Sequence, residues 1–72
     1  MRVGDLVRYT DKGTNARWFH GKMGLVTSYV AHGFDGKSHC RVQWLNPVEY
    51  YDHWTESSAF LASKFEVLNE SR

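Results

Sequence analysis

The chain has 72 residues, one cysteine, 42% apolar residues and a formal net charge of +1. That length leaves room for one domain over residues 1–72, with a core that buries only about 60% of the unfolded chain's surface. Eleven aromatics (three Trp, four Tyr and four Phe) reinforce so small a core, since each removes roughly 150–250 Å² from water. A lone Cys excludes an internal disulfide framework. No apolar run reaches the roughly 18–20 residues of a membrane helix, and charged and apolar residues alternate over 1–9 where a secretory leader would be continuously apolar. The expectation is a cytoplasmic globular minidomain without membrane contact.

Glycine at positions 4, 13, 21, 24, 33 and 36 divides the first half of the chain into short segments, the pattern of an all-β barrel or sandwich. Gly4-Asp5 reads as a turn into a first strand, Leu6–Thr10. Val7 and Tyr9 share one face of that strand, and Val3 joins Val7 in closing the core. Residues 11–22 read as a loop, with Asp-Lys-Gly-Thr-Asn as turn chemistry. A second strand covers Met23–Ala31, where the apolar pattern slips once between Val26 and Tyr29, as at a bulge. His32–Lys37 contains Asp35-Gly36, a hairpin signal. The third strand, Ser38–Leu45, alternates, with Cys40, Val42 and Trp44 facing the core and His39, Arg41 and Gln43 facing out. Asn46-Pro47 ends it, because proline cannot donate to a central ladder. Glu49–Thr55 reads as a fourth strand, with Tyr50 and Trp54 on a different face from Tyr51 and His53. Residues 55–63 admit a single helical turn over Ala59–Ala62, capped by Thr55 or Ser57. Phe65–Leu68 closes the sheet, and residues 69–72 read as a frayed end.

Several segments in this order resemble small SH3-like barrels of the KOW type and short phage and bacterial proteins of that shape. They are Val3-Gly4-Asp5-Leu6-Val7-Arg8, Gly21-Lys22-Met23-Gly24-Leu25-Val26, Cys40-Arg41-Val42-Gln43-Trp44, and Leu61 with Phe65-Glu66-Val67-Leu68. A narrower pattern, Val7-Arg8, Trp18-Phe19, Gly24-Leu25-Val26 and Arg41-Val42, is similar to the E-type peripheral subunit of photosystem I; the hairpin after Tyr29 departs from it. The resemblance implies a five-stranded barrel with one short helical turn before the last strand, in which Gly24 lets the second strand bend. Such barrels carry many unrelated functions, so the resemblance implies a fold and no activity.

The segment Arg17-Trp18-Phe19-His20-Gly21-Lys22 interleaves aromatics with cations. One reading folds Trp18 or Phe19 back as a plug for one end of the barrel. A second makes the segment a protein-binding surface anchored by aromatics and Arg. A third makes it a nucleic-acid surface, with rings stacking on bases and cations meeting phosphates. The expected partner surface is Arg17, Trp18, Phe19, His20 and Lys22 with Arg41 and Tyr51, and the partner an acidic protein; nucleic acid is the alternative. The aromatic cluster Tyr50, Tyr51 and Trp54 is either packed, with only Tyr51 outside, or shares a groove with Trp18 and Phe19. Residues 1–41 carry seven Lys/Arg against three acids, and residues 42–72 two against five. His20 and His32, if both lie beside Arg17 and Lys22, would strengthen acidic binding as pH falls. His20, His32, His39, Cys40 and His53 lack zinc-ligand spacing. No phosphate loop, nucleophile elbow or carboxylate pair occurs, and Asp52, His53 and Ser57 or Ser58 point apart on a strand. The chain is therefore expected to be a non-enzymatic binding module without cofactor or metal. It is expected to be monomeric or to self-associate weakly through a barrel edge.

Overall fold

A computed structural model describes residues 1–68; the expected frayed end, 69–72, lies outside the described residues. Five strands, β1 (Leu6–Tyr9), β2 (Met23–Val30), β3 (His39–Tyr50), β4 (His53–Leu61) and β5 (Phe65–Val67), form one antiparallel sheet in the order β4-β3-β2-β1-β5. A single helical turn, α1 (Ala16–Phe19), interrupts the β1–β2 connection, and a 3-10 turn at Ala62–Lys64 precedes β5. The class is all-β, as expected. β4 and β5 share no ladder, so hydrogen bonds do not close the sheet.

The sheet is strongly curled all the same. In a flat sheet β1 and β4 would stand three spacings apart, about 14 Å. The Tyr9 and Phe60 ring centroids are 5.0 Å apart. The two edges approach likewise: Phe60 of β4 and Phe65 of β5 are 6.1 Å apart, against four spacings, about 19 Å, in a flat sheet. Apolar burial drives the curl. Val7, Tyr9, Phe19, Val26, Cys40, Val42, Trp44, Val48 and Phe65 form one buried cluster. Each large apolar side chain so buried contributes about 1.5–3 kcal/mol. The alternation of Cys40, Val42 and Trp44 is as read from the sequence. Burial alone pushes the Cys40 thiol up to about 11, so it stays protonated and acts as a small apolar filler. The Tyr9 hydroxyl, also buried, has no hydrogen-bond partner among the described residues.

Two irregularities shape the curl. In β2, Val26 pairs with Val42 but Ser28 pairs with Arg41, leaving Thr27 as an extra residue. This is the expected slip, and the Thr27 hydroxyl donates to the Arg41 carbonyl at 3.2 Å. In β3, Gln43 pairs with Ser57 and Val48 with Thr55, so Trp44–Pro47 oppose Glu56 alone. Here the expected end of the strand is corrected. Pro47 does lack a ladder donor, but it lies inside this bulge, where β4 requires none, and β3 runs on to Tyr50.

Further expectations are revised. Tyr50 pairs with His53 across the two-residue turn Tyr51-Asp52, so the segment read as one strand over 49–55 is the tip of a hairpin. β4 continues to Leu61, which moves the helical turn from Ala59–Ala62 to Ala62–Lys64. Val3 is 62% exposed and closes nothing. The Asp5 N–H donates to the Arg2 carbonyl at 3.1 Å, which makes Val3 and Gly4 the centre of a turn. Gly4, at φ +97°, takes the position that a type II turn gives to glycine. The β2–β3 connection turns at Phe34-Asp35, one residue before the expected Asp35-Gly36: the Gly36 N–H donates to the Gly33 carbonyl at 2.8 Å, and Gly36 follows at φ +77°.

Gly24 serves close approach. A Cβ there would lie 2.8 Å from the Gln43 carbonyl oxygen and 3.3 Å from the Trp44 ring. The Gln43 carbonyl, being backbone of β3, cannot retreat without disturbing the β2–β3 ladder. Gly24→Ala is expected to lower stability in urea unfolding by about 1–3 kcal/mol. A neutral Gly24→Ala would contradict the close-approach account.

Candidate functional site: an aromatic groove beside the first loop

The loop that carries Arg17–Lys22 is pinned at both ends. At its start, the Asp11 carboxylate accepts the Gly13 N–H at 2.9 Å and the Lys64 ammonium at 3.2 Å. These two bonds, the Gly13 N–H first, hold the Asp11 carboxyl below the usual carboxylate range. At its end, the Tyr9 N–H donates to the Lys22 carbonyl at 2.9 Å and the Gly21 N–H to the Tyr9 carbonyl at 2.8 Å. Gly21 permits this return at φ +83°. Between these ends the chain makes one helical turn, closed by bonds from the Phe19 N–H to the Asn15 carbonyl (3.1 Å) and from the His20 N–H to the Ala16 carbonyl (3.0 Å). The His20 ring nitrogen lies 3.3 Å from the Asp11 carbonyl.

Consecutive residues on a helical turn point about 100° apart. Phe19 points inward and is 2% exposed. Its ring stacks on Trp44 at 5.2 Å and 21° and meets Tyr50 and Phe60 at 5.2 Å each. Phe19 is the plug, so its place in the expected partner surface is corrected: a side chain in the core offers a partner nothing. Trp18 is half-buried at the rim. Its ring lies 4.9 Å from Tyr50 and 4.6 Å from Tyr51, and the Arg17 guanidinium sits 4.6 Å from its ring centroid. Such a cation–ring pair contributes about 0.5–1 kcal/mol at an exposed site.

Beside these rings lies an open groove of about 600 Å³, lined by Arg17, Trp18, His20, Lys22, Pro47, Val48, Glu49, Tyr51 and Trp54. Five of the seven expected surface residues therefore meet there: Arg17, Trp18, His20, Lys22 and Tyr51. Arg41 does not; it stands on the outer face of β3 between Ser28 and Ala59. His32 is also absent from the groove, since it lies in the β2–β3 connection, so the joint action of His20 and His32 is corrected. Of the two readings of the aromatic cluster, packing fails for Trp54, which is 69% exposed, and Tyr51 and Trp54 line a groove with Trp18, though not with Phe19. The turn at Tyr51-Asp52 reverses the chain between Tyr50 and Trp54, so strand alternation does not run through both. The bulge at Trp44–Pro47 brings Pro47 to the groove wall, a placement that no sequence periodicity encodes.

Tyr51 is 62% exposed and has φ +57°, the left-handed region. For a residue with a Cβ this costs about 1–2 kcal/mol. The ring it presents is held against Trp18 and Tyr50, each with centroids 4.6 Å away. Among the described residues, no group of three or more His, Cys, Asp or Glu is arranged to hold a metal ion. No helix of the described residues is long and apolar enough to cross a membrane. The chain matches no protein-family model, no curated protein and no solved structure.

The three tryptophans stand at three depths: Trp44 at 4% exposure, Trp18 half-buried and Trp54 at 69%. Iodide quenching of the folded protein is therefore expected to fall mostly with Trp54→Phe, partly with Trp18→Phe and not at all with Trp44→Phe. An unchanged quenchable fraction in Trp54→Phe would contradict the exposed groove wall.

Proposed function

We propose that the protein is a non-enzymatic binding module that takes an acidic segment of a protein partner in the Trp18–Tyr51–Trp54 groove. The observation that carries this reading is the pairing of exposed rings with cations. Tyr51 and Trp54, both more than 60% exposed, line the groove together with Lys22 and a half-buried Trp18 whose ring carries the Arg17 guanidinium. Large aromatics left exposed side by side are the usual anchors of protein interfaces, and Arg is enriched with them. Burying the rings supplies affinity, while Arg17 and Lys22 select carboxylates and speed encounter.

The strand order and the approach of the two sheet edges support a small SH3-like barrel of the KOW kind as the scaffold, of the type that serves as a phage or bacterial accessory protein. The single protonated, buried Cys40 suits a reducing cytoplasm. A nucleic-acid ligand would use the same rings and cations. One feature favours protein instead: the isoelectric point near 7.9 falls below the value of about 9 common among nucleic-acid domains.

The test is titration with synthetic peptides carrying Glu on both sides of a Leu or Phe, beside oligothymidylate, across a salt series. Binding of a peptide, weakened about tenfold or more by Trp54→Ala and by Arg17→Glu, is the expected result. Oligothymidylate binding whose log–log salt slope steepens by about −0.7 per phosphate contact, without peptide binding, would replace this reading with the nucleic-acid one. Binding of neither probe would remove the groove as a docking site.

A further inference from the structure

The open sheet has two edges, and they are built differently. β5 is three residues long, and its central Glu66 is ion-paired to Arg8 at 2.8 Å. Shortness and charge are two of the devices that keep an edge from pairing with another chain. β4 has nine residues and occupies the other end of the strand order. Its first part bends at Glu56, opposite the β3 bulge, where the Thr55 hydroxyl donates to the Ser57 carbonyl at 2.8 Å. Beyond the bend, Ser57-Ser58-Ala59-Phe60-Leu61 pairs with Gln43 to His39 without a register shift. That stretch contains no charge, no proline and no bulge, three of the devices that keep an edge from pairing, and among the described residues no further strand pairs with it.

We propose that residues 57–61 of β4 pair antiparallel with the same edge of a second copy, giving a two-fold dimer with one continuous sheet. Three observations choose a second copy as the occupant. An axis beside Ala59 sets Ser57 against Leu61 and Ser58 against Phe60 of the other copy, so no like charges meet. The net charge of +1 adds little long-range repulsion between copies. Pairing the two β4 edges also leaves only the short, charged β5 edges outside, so association stops at two copies. The groove at Trp18 is not used by this contact, and the inference stands apart from the peptide-binding reading.

The test is sedimentation equilibrium of the full chain from low micromolar to millimolar concentration, with Ala59→Glu as the variant. Ala59 is exposed and directly opposite Arg41, so a carboxylate there is favourable within one copy but faces its own image across the axis. The expected result is a monomer–dimer equilibrium that Ala59→Glu weakens roughly fivefold or more. Mixing Ala59→Glu with Ala59→Lys restores association. If circular dichroism shows that Ala59→Glu fails to fold, Ser57→Glu, also exposed and set against Leu61 of the other copy, takes its place with the same expected loss. A monomer up to millimolar concentration would overturn the inference. So would a dimer indifferent to these charges but abolished by Trp54→Ala, which would place the contact at the groove.

Discussion

Phe19 is the residue on which the arrangement turns. The five-stranded sheet curls around a space that its own side chains do not fill from every direction, and the open end lies beside the first loop. Phe19 enters there and touches Trp44 of β3, Phe60 of β4 and, at 5.9 Å, Tyr9 of β1. One ring thus ties β1 to the β3–β4 pair, with which β1 shares no ladder. Because one helical turn carries both residues, burying Phe19 fixes its neighbour. Trp18 is held at the rim against Tyr50 and Tyr51, and Arg17 is carried over its outer face. The core therefore reaches the surface through a run of ring contacts, from Trp44 through Phe19 and Tyr50 to Trp18 and Tyr51.

The second constraint is the bulge of β3. Four residues set against Glu56 let the strand turn its direction without breaking, which carries Val48 into the core and Pro47 and Glu49 to the groove. Past the bulge the hairpin closes through Tyr51 in a left-handed conformation. A two-residue turn ordinarily selects Asn-Gly or Asp-Gly. Tyrosine gives up turn stability of about 1–2 kcal/mol, and what remains in exchange is a ring at the groove. Strain of that size at a solvent-facing aromatic is more often found where a surface is used than where it is only solvated.

These features divide what the sequence made legible from what it hid. Period-two alternation located Cys40, Val42 and Trp44 on the core face, and Val7 and Tyr9 likewise, because burial acts on each residue separately and leaves a local trace. Turns with glycine in their own geometry, at Gly4 and Gly36, were equally readable. The Tyr51-Asp52 turn was not, since the left-handed position falls on Tyr51, a residue with no turn preference, and Asp52 without a glycine is a weak mark. Pro47 misled for a related reason. Its missing donor is a true local property, but whether a donor is needed there depends on β4, which the local sequence does not contain. For the groove, the loop segment 17–22 announced itself by composition. The division of labour between Trp18 and Phe19 did not, because both are large aromatics and only the direction of one helical turn separates them. Trp54 was hidden by the unseen turn, which broke the alternation used to place it.

The direct test of this account is equilibrium unfolding in urea of Phe19→Ala beside Trp18→Ala. A domain of this length has a total stability of about 4–11 kcal/mol, and removing a fully buried Phe costs about 3–5 kcal/mol. Phe19→Ala is therefore expected to lose a large part of the stability and to lie near its unfolding transition without denaturant. Trp18→Ala, which removes a ring already half in water, is expected to lose less than half as much. Equal losses, or a larger loss at Trp18, would mean that the loop closes the sheet through Trp18, and the assignment of core and surface to these two neighbours would be wrong.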